Sequence, residues 1–274
     1  MTIMSPNSST TLTPTISFLT DYGLTDEFVG VCRSVIRQLA PTATVIDVSH
    51  DVPAHDVRAG SLTLVRAVQY LADGVVLAIV DPGVGTSRRA IAVEAGPMTF
   101  VGPDNGLLAP AVAFLGGATR AVHLNNGEYH LSAPGVTFAG RDVFSPVAAQ
   151  LANGVALADL GDVIDPAGLV PGMIPLTRTE DGVIHAEVLW VDRFGNAQLN
   201  VDPDDLGAGA TAVSVEFGTT TRTAHIADTY ASIGTGAIGL VTDSYGMLSL
   251  CLDRRSAADE LGLGPGVAVS LKRL

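Results

Sequence analysis

The sequence predicts an α/β N-terminal domain with a mainly parallel sheet, followed by a smaller all-β, barrel-like C-terminal domain. Strand-like and helix-like hydrophobic patterns alternate through the first half of the chain, as expected for strands joined by helical crossovers. A turn-rich stretch rich in Gly and Pro follows at residues 166–172. Beyond it, short β-type runs are separated by Gly, Asp and Asn, which is typical of a small barrel or sandwich.

The first half alternates as strand, helix, strand, helix, strand. Strands are predicted over residues 15–19, 44–48 and 75–80, and helices over residues 26–39, 56–71 and 142–153. Residues 75–80 are apolar at every position, which indicates a central parallel strand covered on both faces. Acidic residues in the first turn of the first helix and Pro41 after its end mark its two limits.

The predicted domain organisation has three parts. Residues 1–14 are polar and without a basic residue, so they predict a flexible tail and not a signal or transit peptide. Residues 15–170 form the α/β domain and residues 171–274 the β domain. The strands of the β domain are predicted over residues 182–191, 210–217, 219–226, 237–241, 247–252 and 267–271.

Composition excludes several classes of protein. The chain is 47% hydrophobic and 16% charged, so it can bury a large core. Its 15 Lys and Arg against 28 Asp and Glu give a formal charge of −13, which opposes binding to nucleic acid or to an anionic membrane. Cys32 and Cys251 are expected to be buried free thiols, which favours a cytoplasmic protein. The sequence contains no metal-binding Cys/His motif.

Polar clusters follow three predicted strands. These clusters are residues 21–23 (Asp-Tyr-Gly), residues 49–51 with His55 and Asp56 nearby, and residues 81–88, in which Arg88 follows Asp81 by seven positions. Asp81 directly follows six apolar residues, so its carboxylate needs a partner, and Arg88 is a nearby cation. Each cluster alone is ordinary turn chemistry. Because ligands bind beyond the carboxyl ends of parallel strands, however, all three are expected to face one crevice.

Two further interpretations concern single motifs. His50 and His55 flank a turn and, judged alone, are expected at the surface or as helix caps. The Gly-rich residues 83–85 lack the third glycine of a dinucleotide-binding fingerprint. The chain has neither a P-loop lysine motif nor the G-x-S-x-G elbow of a serine hydrolase.

Five longer motifs occur in one order across both halves. They are residues 16–23 (ISFLTDYG), 80–88 (VDPGVGTSR), 101–108 (VGPDNGLL), 140–146 (GRDVFSP) and 192–196 (DRFGN). Together they resemble the S-adenosyl-L-methionine hydroxide adenosyltransferases, relatives of the fluorinases and chlorinases, with similarity from residue 15 to about residue 253. The resemblance implies cleavage of S-adenosylmethionine by water to adenosine and L-methionine, without a metal or other cofactor. It also implies a homotrimer with active sites between subunits.

The resemblance assigns catalytic roles to Asp81, Arg88 and position 139. Asp81 is expected to orient the attacking water, and Arg88 to keep Asp81 ionised and therefore a weak base. The family carries a histidine directly before Gly-Arg-Asp, where this sequence has Ala139. This departure fits either a divergent member or a variant altered at its site, and it predicts impaired turnover.

The resemblance also implies a set of substrate-binding residues. Asp21 is expected to bind the ribose hydroxyls, Asp192 the methionine ammonium and Ser244 the methionine carboxylate. The remaining residues, expected to contact the adenine or to flank the substrate, are Asn196, Tyr230, His55, Phe138 and Phe194.

Two alternative functions stay open from the sequence. One is a halide adenosyltransferase, which the pair Asp81 and Arg88 disfavours because halogenating relatives differ at this cluster. The other is a catalytically silent protein that binds S-adenosylmethionine or adenosine, which the alanine at position 139 would favour.

Overall fold

The computed structural model describes residues 13–274, and most of the predicted tail, residues 1–12, lies outside the described residues. Residues up to Met173 form one compact unit, and Ile174–Leu274 form a second. The sequence placed this boundary after residue 170. The first unit is α/β and the second is built mainly from β-strands, which confirms the predicted fold class.

The N-terminal unit contains one seven-stranded sheet in the order β2-β1-β3-β5-β4-β6-β7. Its strands are β1 Thr15–Thr20, β2 Thr44–Ser49, β3 Gly74–Ile79, β4 Ala90–Ala95, β5 Met98–Pro103, β6 Arg120–His123 and β7 Asp162–Ile164. The pairings β2–β1, β1–β3 and β3–β5 are parallel, whereas β5–β4, β4–β6 and β6–β7 are antiparallel. Only β4 and β7 therefore oppose the common direction, and the sheet is mainly parallel.

Four α-helices cover the two faces of this sheet. They are α1 Phe28–Leu39, α2 Val57–Val68, α3 Ala109–Phe114 and α4 Ser145–Ala152. One core contains Phe18 with residues of α1 and α4, and the other contains Leu19 with residues of α2 and α3. Neighbouring residues of β1 thus point into opposite cores, as the alternation of a strand requires. Asp56 caps α2 by accepting a hydrogen bond of 2.8 Å from the amide of Ala59.

The helix predicted over residues 142–153 has a different start. The chain forms a π-helical turn over Gly140–Phe144, and α4 continues from Ser145. Single π-helical turns occur often at functional sites because they redirect side chains within a helix. The two helices predicted earlier in the chain are also shorter than expected, since α1 begins at Phe28 and α2 ends at Val68.

The strand order reverses at β1. The chain leaves β1 through α1 to β2 on one side, then passes through α2 to β3 on the other side of β1. Thr20 of β1 lies in register with Ile79 of β3, so the carboxyl ends of these strands are adjacent. This is a topological switch point, where open α/β sheets bind their ligands.

The C-terminal unit contains a closed barrel of seven strands, β9 to β15, and one further strand, β8. The eight strands are β8 Arg178–Glu180, β9 Val183–Val191, β10 Ala197–Leu199, β11 Ala212–Phe217, β12 Thr220–Ala227, β13 Ile238–Thr242, β14 Leu248–Cys251 and β15 Ala268–Arg273. Strand β10 pairs with both β14 and β9, which closes the barrel, and β8 adds to β9 outside it. The barrel encloses an apolar core. A short helix, α5 Ala257–Leu261, follows β14. Closure removes the exposed strand edges that an open sheet would have.

His50 is buried, so its expected surface or helix-capping role is wrong. Its Nε2 lies 3.0 Å from Oδ1 of Asp47, and because a carboxylate only accepts, Nε2 carries the proton. Its Nδ1 then accepts from the hydroxyl of Thr20 at 2.9 Å. Its carbonyl accepts from the amide of Gly23 at 2.8 Å. Burial lowers the pKa of His50 to about 4, so this link between the β1 and β2 ends holds a neutral imidazole.

We expect His50 to make stability depend on pH. The pKa of His50 is about 4 in the folded protein, below the roughly 6.5 of an unfolded histidine, so the unfolded chain takes up the proton first. The contribution is therefore present above pH 6.5 and is lost as the pH falls towards 4. Between pH 7 and pH 5, His50 should lower the free energy of unfolding by about 2 kcal/mol. Urea unfolding at the two pH values measures this difference.

The matched variants for this measurement are His50→Asn and His225→Gln, the latter at an exposed histidine. The loss of stability on acidification should shrink in His50→Asn and persist in His225→Gln. An equal loss in the wild type and in His50→Asn would show that His50 does not couple folding to protons.

Candidate active site

A pocket of about 250 Å³ lies at the switch point of the N-terminal sheet. It is lined by Asp21, Tyr22, Phe28, Ala54, His55, Asp81, Val84, Thr137, Phe138 and Gly140. Asp21 follows the end of β1, Asp81 follows the end of β3, and His55 lies near the second polar cluster, whose residues 49–51 do not line the cavity themselves. The structure thus brings together Asp21, His55, Asp81 and Phe138 among the residues expected at the site.

Asp81 and Arg88 form a buried ion pair at this pocket. Nε of Arg88 donates to Oδ1 of Asp81 at 2.9 Å, and Nη2 donates to Oδ2. The two side chains are only 6% and 12% exposed, respectively. Burial raises the pKa of Asp81 above its ordinary value, although the charge and hydrogen bonds of Arg88 oppose this. Asp81 is therefore a stronger base than the expectation based on Arg88 alone, because that expectation left out desolvation.

The guanidinium of Arg88 contacts Phe144, a residue of the π-helical turn. Its guanidinium carbon lies 5.4 Å from the ring centroid of Phe144, which is fully buried. Cations are attracted to the face of an aromatic ring at such distances. Phe144 therefore supports the ion pair from a segment more than fifty residues away. The sequence motif contains this residue but did not indicate the contact.

Asp21 is oriented by a strained turn. The backbone amide of His55 donates to Oδ2 of Asp21 at 2.8 Å. His55 has a φ of +69°, in the left-handed region that residues other than glycine rarely adopt. This conformation directs the amide of His55 towards Asp21, while the imidazole of His55 lines the pocket. Backbone strain of this kind concentrates at functional sites.

One wall of the pocket is aromatic. The ring of Phe138 lies 5.9 Å from Tyr22 and 5.0 Å from Phe28, measured between centroids. The guanidinium carbon of Arg141 lies 5.0 Å from the centroid of Phe138, and Arg141 also binds Asp142 through two hydrogen bonds of 2.6 and 3.0 Å. Tyr22 belongs to the first polar cluster predicted from the sequence, but neither Tyr22 nor Phe28 was expected among the catalytic or substrate-binding residues.

Ala139 does not line the pocket. It is partly buried, and its methyl group packs against the core formed with α1 and α4. Its neighbours Phe138 and Gly140 both face the cavity. A side chain at position 139 must therefore turn away from this core to reach Asp81.

A second pocket, of about 500 Å³, lies in the C-terminal unit. It is lined by Phe194, Asn196, Tyr230, Ala231, Leu252, Asp253, Arg254, Arg255 and Ser256. Phe194 is 77% exposed and Tyr230 is 44% exposed, so two aromatic rings are available to a planar ligand. Three expected substrate-binding residues, Phe194, Asn196 and Tyr230, thus share one cavity. The loop from Asp253 to Ser256 was not predicted, and no recognisable motif marks it.

Asp192 and Ser244 are not among the residues that line this second pocket. The carboxylate of Asp192 accepts from the amides of Phe194 and Asn196 at 2.8 and 2.9 Å, and from Nδ2 of Asn196 at 2.7 Å. Asp192 therefore shapes the turn that presents Phe194 and Asn196. Ser244 is exposed in a turn organised by Asp243, whose Oδ1 accepts from the amide of Tyr245 at 2.8 Å.

Two kinds of feature are absent from residues 13–274. No group of three or more His, Cys, Asp and Glu side chains in this range is arranged to hold a metal ion. Within the same range, no helix combines the length and the apolar character that spanning a membrane requires.

The thiols of Cys32 and Cys251 are buried and free, as expected, and burial raises their pKa values to about 11 and about 12.

Proteins of known sequence resemble the chain over nearly its whole length. The (R)-S-adenosyl-L-methionine hydrolase of Salinispora tropica is 47% identical, with 93% of this chain and 96% of that protein covered. The enzyme of the same name from Thermus thermophilus is 39% identical, over 93% and 98%. A fluorinase of an Actinoplanes species is more distant, at 24% identity over 95% and 98%.

Solved structures and family profiles agree with these relatives. An uncharacterized conserved protein from Thermotoga maritima superposes with a TM-score of 0.87 at 34% identity, covering 94% of this chain and 100% of that one. A conserved hypothetical protein from Thermus thermophilus gives 0.74 at 37% identity, over 94% and 99%. The SAM hydroxide adenosyltransferase N-terminal domain matches residues 16–161, and the C-terminal domain matches residues 186–270. With both of its units matched in this way, the chain belongs to the SAM hydroxide adenosyltransferase family.

Proposed function

We propose that this protein hydrolyses S-adenosyl-L-methionine at C5′, giving adenosine and L-methionine. The observation that carries the proposal is the carboxylate of Asp81, buried at the switch point and held by both of its oxygens on Arg88. The relatives named (R)-S-adenosyl-L-methionine hydrolase, at 39–47% identity over nearly the full chain, support the same reaction.

The chemistry requires a placed water more than it requires an acid. The leaving group is the neutral thioether of methionine, so it departs from the sulfonium without protonation. The nucleophile must lie in line with the C–S bond, and fixing such a geometry can contribute about 7–11 kcal/mol. A carboxylate at the pocket can hold a water by accepting its proton in a hydrogen bond.

Asp81 is suited to act as this acceptor. Burial raises the pKa of Asp81 towards the range in which a carboxylate accepts a proton from water more readily. The bidentate contact with Arg88 fixes the direction of both oxygens. Together they orient one water and strengthen it as a nucleophile.

The two pockets divide the proposed substrate contacts. In the first, Asp21 accepts from the ribose hydroxyls, with His55 and Phe138 flanking the substrate. In the second, Asn196 binds the adenine edge and Tyr230 stacks on its face.

The methionine end is assigned to residues outside the lining of the second pocket. A carboxylate offers about four acceptor positions. The carboxylate of Asp192 uses three of them within its own turn, which leaves one for the methionine ammonium. Ser244, exposed on the neighbouring turn, is assigned to the methionine carboxylate, and Phe194 to the side of the adenine.

The proposal includes an assembly and a setting. Each active site would combine the N-terminal unit of one subunit with the C-terminal unit of another, in a homotrimer. Each unit contributes one of the two pockets, and the assembly is the one that the family resemblance implies. The reaction needs no metal or other cofactor, because neither an acid nor a Lewis acid is required by its leaving group. The free thiols of Cys32 and Cys251 support a cytoplasmic location.

A second candidate function is silent binding of S-adenosylmethionine or adenosine. It is favoured by Ala139, because an alanine in the position of the family histidine has no polar atom with which to contact a water. A halide adenosyltransferase is disfavoured because the carboxylates of Asp21 and Asp81 make the cavity unfavourable for an anion.

Chromatography of products, with and without chloride, separates these functions. Adenosine in both mixtures supports hydrolysis, 5′-chloroadenosine supports halide transfer, and intact substrate that calorimetry shows to be bound supports silent binding.

Removing the charge of Asp81 should abolish most turnover. Asp81→Asn keeps the shape but cannot accept the proton of the water, so kcat should fall by about 10²–10⁴-fold. Adenosine release measures kcat, and calorimetry should show binding of S-adenosylmethionine largely retained. Asp73→Asn, at an exposed aspartate before β3, is the matched control. A wild-type rate in Asp81→Asn would contradict the role of Asp81.

Restoring a histidine at position 139 should raise turnover. Ala139→His introduces an imidazole that can contact the water once it turns away from the core, and a general acid–base group typically contributes about 10²–10⁴-fold in rate. Adenosine release should rise by at least about tenfold. Ala139→Leu, similar in bulk but without ring nitrogens, should show no rise. An unchanged rate in Ala139→His would show that the position does not contact the reaction.

A further inference from the structure

We propose that the hydroxyl of Tyr22 is a second catalytic contact to the attacking water, beside Asp81. The inference rests on the proposed hydrolysis and adds a residue to its mechanism. It follows from where the hydroxyl lies, from what keeps a space open for it, and from its lack of another partner.

Tyr22 is positioned by a backbone hydrogen bond and by contacts with two neighbouring rings. The residue lines the same pocket as Asp81. Its backbone amide donates to Oγ1 of Thr20 at 3.1 Å, and its ring lies 5.7 Å from Phe28 and 5.9 Å from Phe138. Phe28 and Phe138 also contact each other, with their ring centroids 5.0 Å apart, so the three rings form one cluster that restricts rotation of the phenol ring.

Gly140 leaves space for the hydroxyl of Tyr22. A Cβ atom built at Gly140 would lie 2.3 Å from the hydroxyl oxygen of Tyr22. Gly140 begins the π-helical turn, and its φ lies outside the left-handed region, so its backbone does not require glycine. The missing side chain at Gly140 is therefore explained by the space that the hydroxyl of Tyr22 occupies.

The hydroxyl of Tyr22 is available for a ligand. The carboxylate of Asp21 is engaged by the amide of His55, and that of Asp81 by Arg88. Among residues 13–274, by contrast, no side chain or backbone group forms a hydrogen bond with the hydroxyl of Tyr22. A polar group at the wall of a largely apolar cavity without a protein partner requires water or a ligand.

The phenol keeps its proton during the reaction. Burial raises the pKa of Tyr22 well above its ordinary value, with smaller contributions in the same direction from Cys32 and from the carboxylates of Asp21 and Asp81. A neutral hydroxyl both donates and accepts hydrogen bonds. One hydrogen of the water can therefore bind Asp81 and the other can bind the oxygen of Tyr22, which directs an oxygen lone pair towards C5′.

The bonds and charges of the step balance. The oxygen of the water forms a bond to C5′, and the C5′–S bond breaks with its electron pair going to sulfur. The proton of the water passes to Asp81. The products are adenosine and L-methionine, whose sulfur is now a neutral thioether. Tyr22 exchanges no proton and acts only by orienting the water.

The test is the kinetics of Tyr22→Phe, which removes the oxygen and keeps the packed ring. We expect kcat for adenosine release to fall roughly tenfold, the worth of one neutral hydrogen bond, with KM within about twofold of the wild type. Tyr70→Phe, at a 70% exposed tyrosine, is the matched control and should change neither value. Thermal unfolding of both variants should match the wild type.

Two double variants test whether the hydroxyl acts on the same water. Tyr22→Phe combined with Asp81→Asn should lose little more than Asp81→Asn alone, because both residues hold one water. Gly140→Ala should lower kcat by displacing the hydroxyl, and it should cost less in the Tyr22→Phe background, where the oxygen is already absent.

The outcomes separate this inference from the proposed function. A wild-type protein that releases no adenosine would overturn both. An active wild type with an unchanged kcat in Tyr22→Phe would overturn the role of Tyr22 alone. A fall in kcat with an equal rise in KM and a lower unfolding temperature would assign Tyr22 to structure instead.

Discussion

The site depends on one buried ion pair, formed by Asp81 and Arg88 at the reversal of the strand order. Removing either partner of such a pair leaves an uncompensated charge in a poorly solvated place, which is costly. The loop between these residues must therefore fold so that both reach the same point, and Phe144 under the guanidinium restricts it further. Burial and pairing act in opposite directions on Asp81, and their balance gives a carboxylate that is fixed in place and still able to accept a proton.

Several segments of the N-terminal unit, distant in sequence, position the side chains around this ion pair. Asp21 arrives at the end of β1, and the left-handed turn at His55 orients it. The neutral His50 links the ends of β1 and β2 through hydrogen bonds with Thr20 and Asp47. The π-helical turn supplies Gly140 to one wall and Phe144 to the ion pair. Strand ends thus provide the charged groups, and the chain after β6 provides the apolar wall.

Prediction from sequence succeeded where an element has its own signal. The fully apolar run 75–80 and the amphipathic stripe of α1 were sufficient to identify them. Strands β4 to β7 were missed. Four of the short strands, β6, β7, β8 and β10, have only three or four residues, which is too few to show the alternation of apolar and polar residues. They are strands only because neighbouring strands pair with them. The π-helical turn at Gly140 was interpreted as an ordinary helix because the two share the same apolar residues.

The sequence by itself determined the two-part architecture, the carboxylate after a buried strand with its arginine seven positions later, and a motif order specific enough to indicate the family. These features are local, since strand burial and loop chemistry follow from neighbouring residues. The tertiary structure decided what depends on contacts between distant segments. It placed the hydroxyl of Tyr22 against Gly140, turned Ala139 towards the core and raised the pKa of Asp81. Desolvation and close approach arise only when segments over a hundred residues apart pack together, and no local pattern contains them.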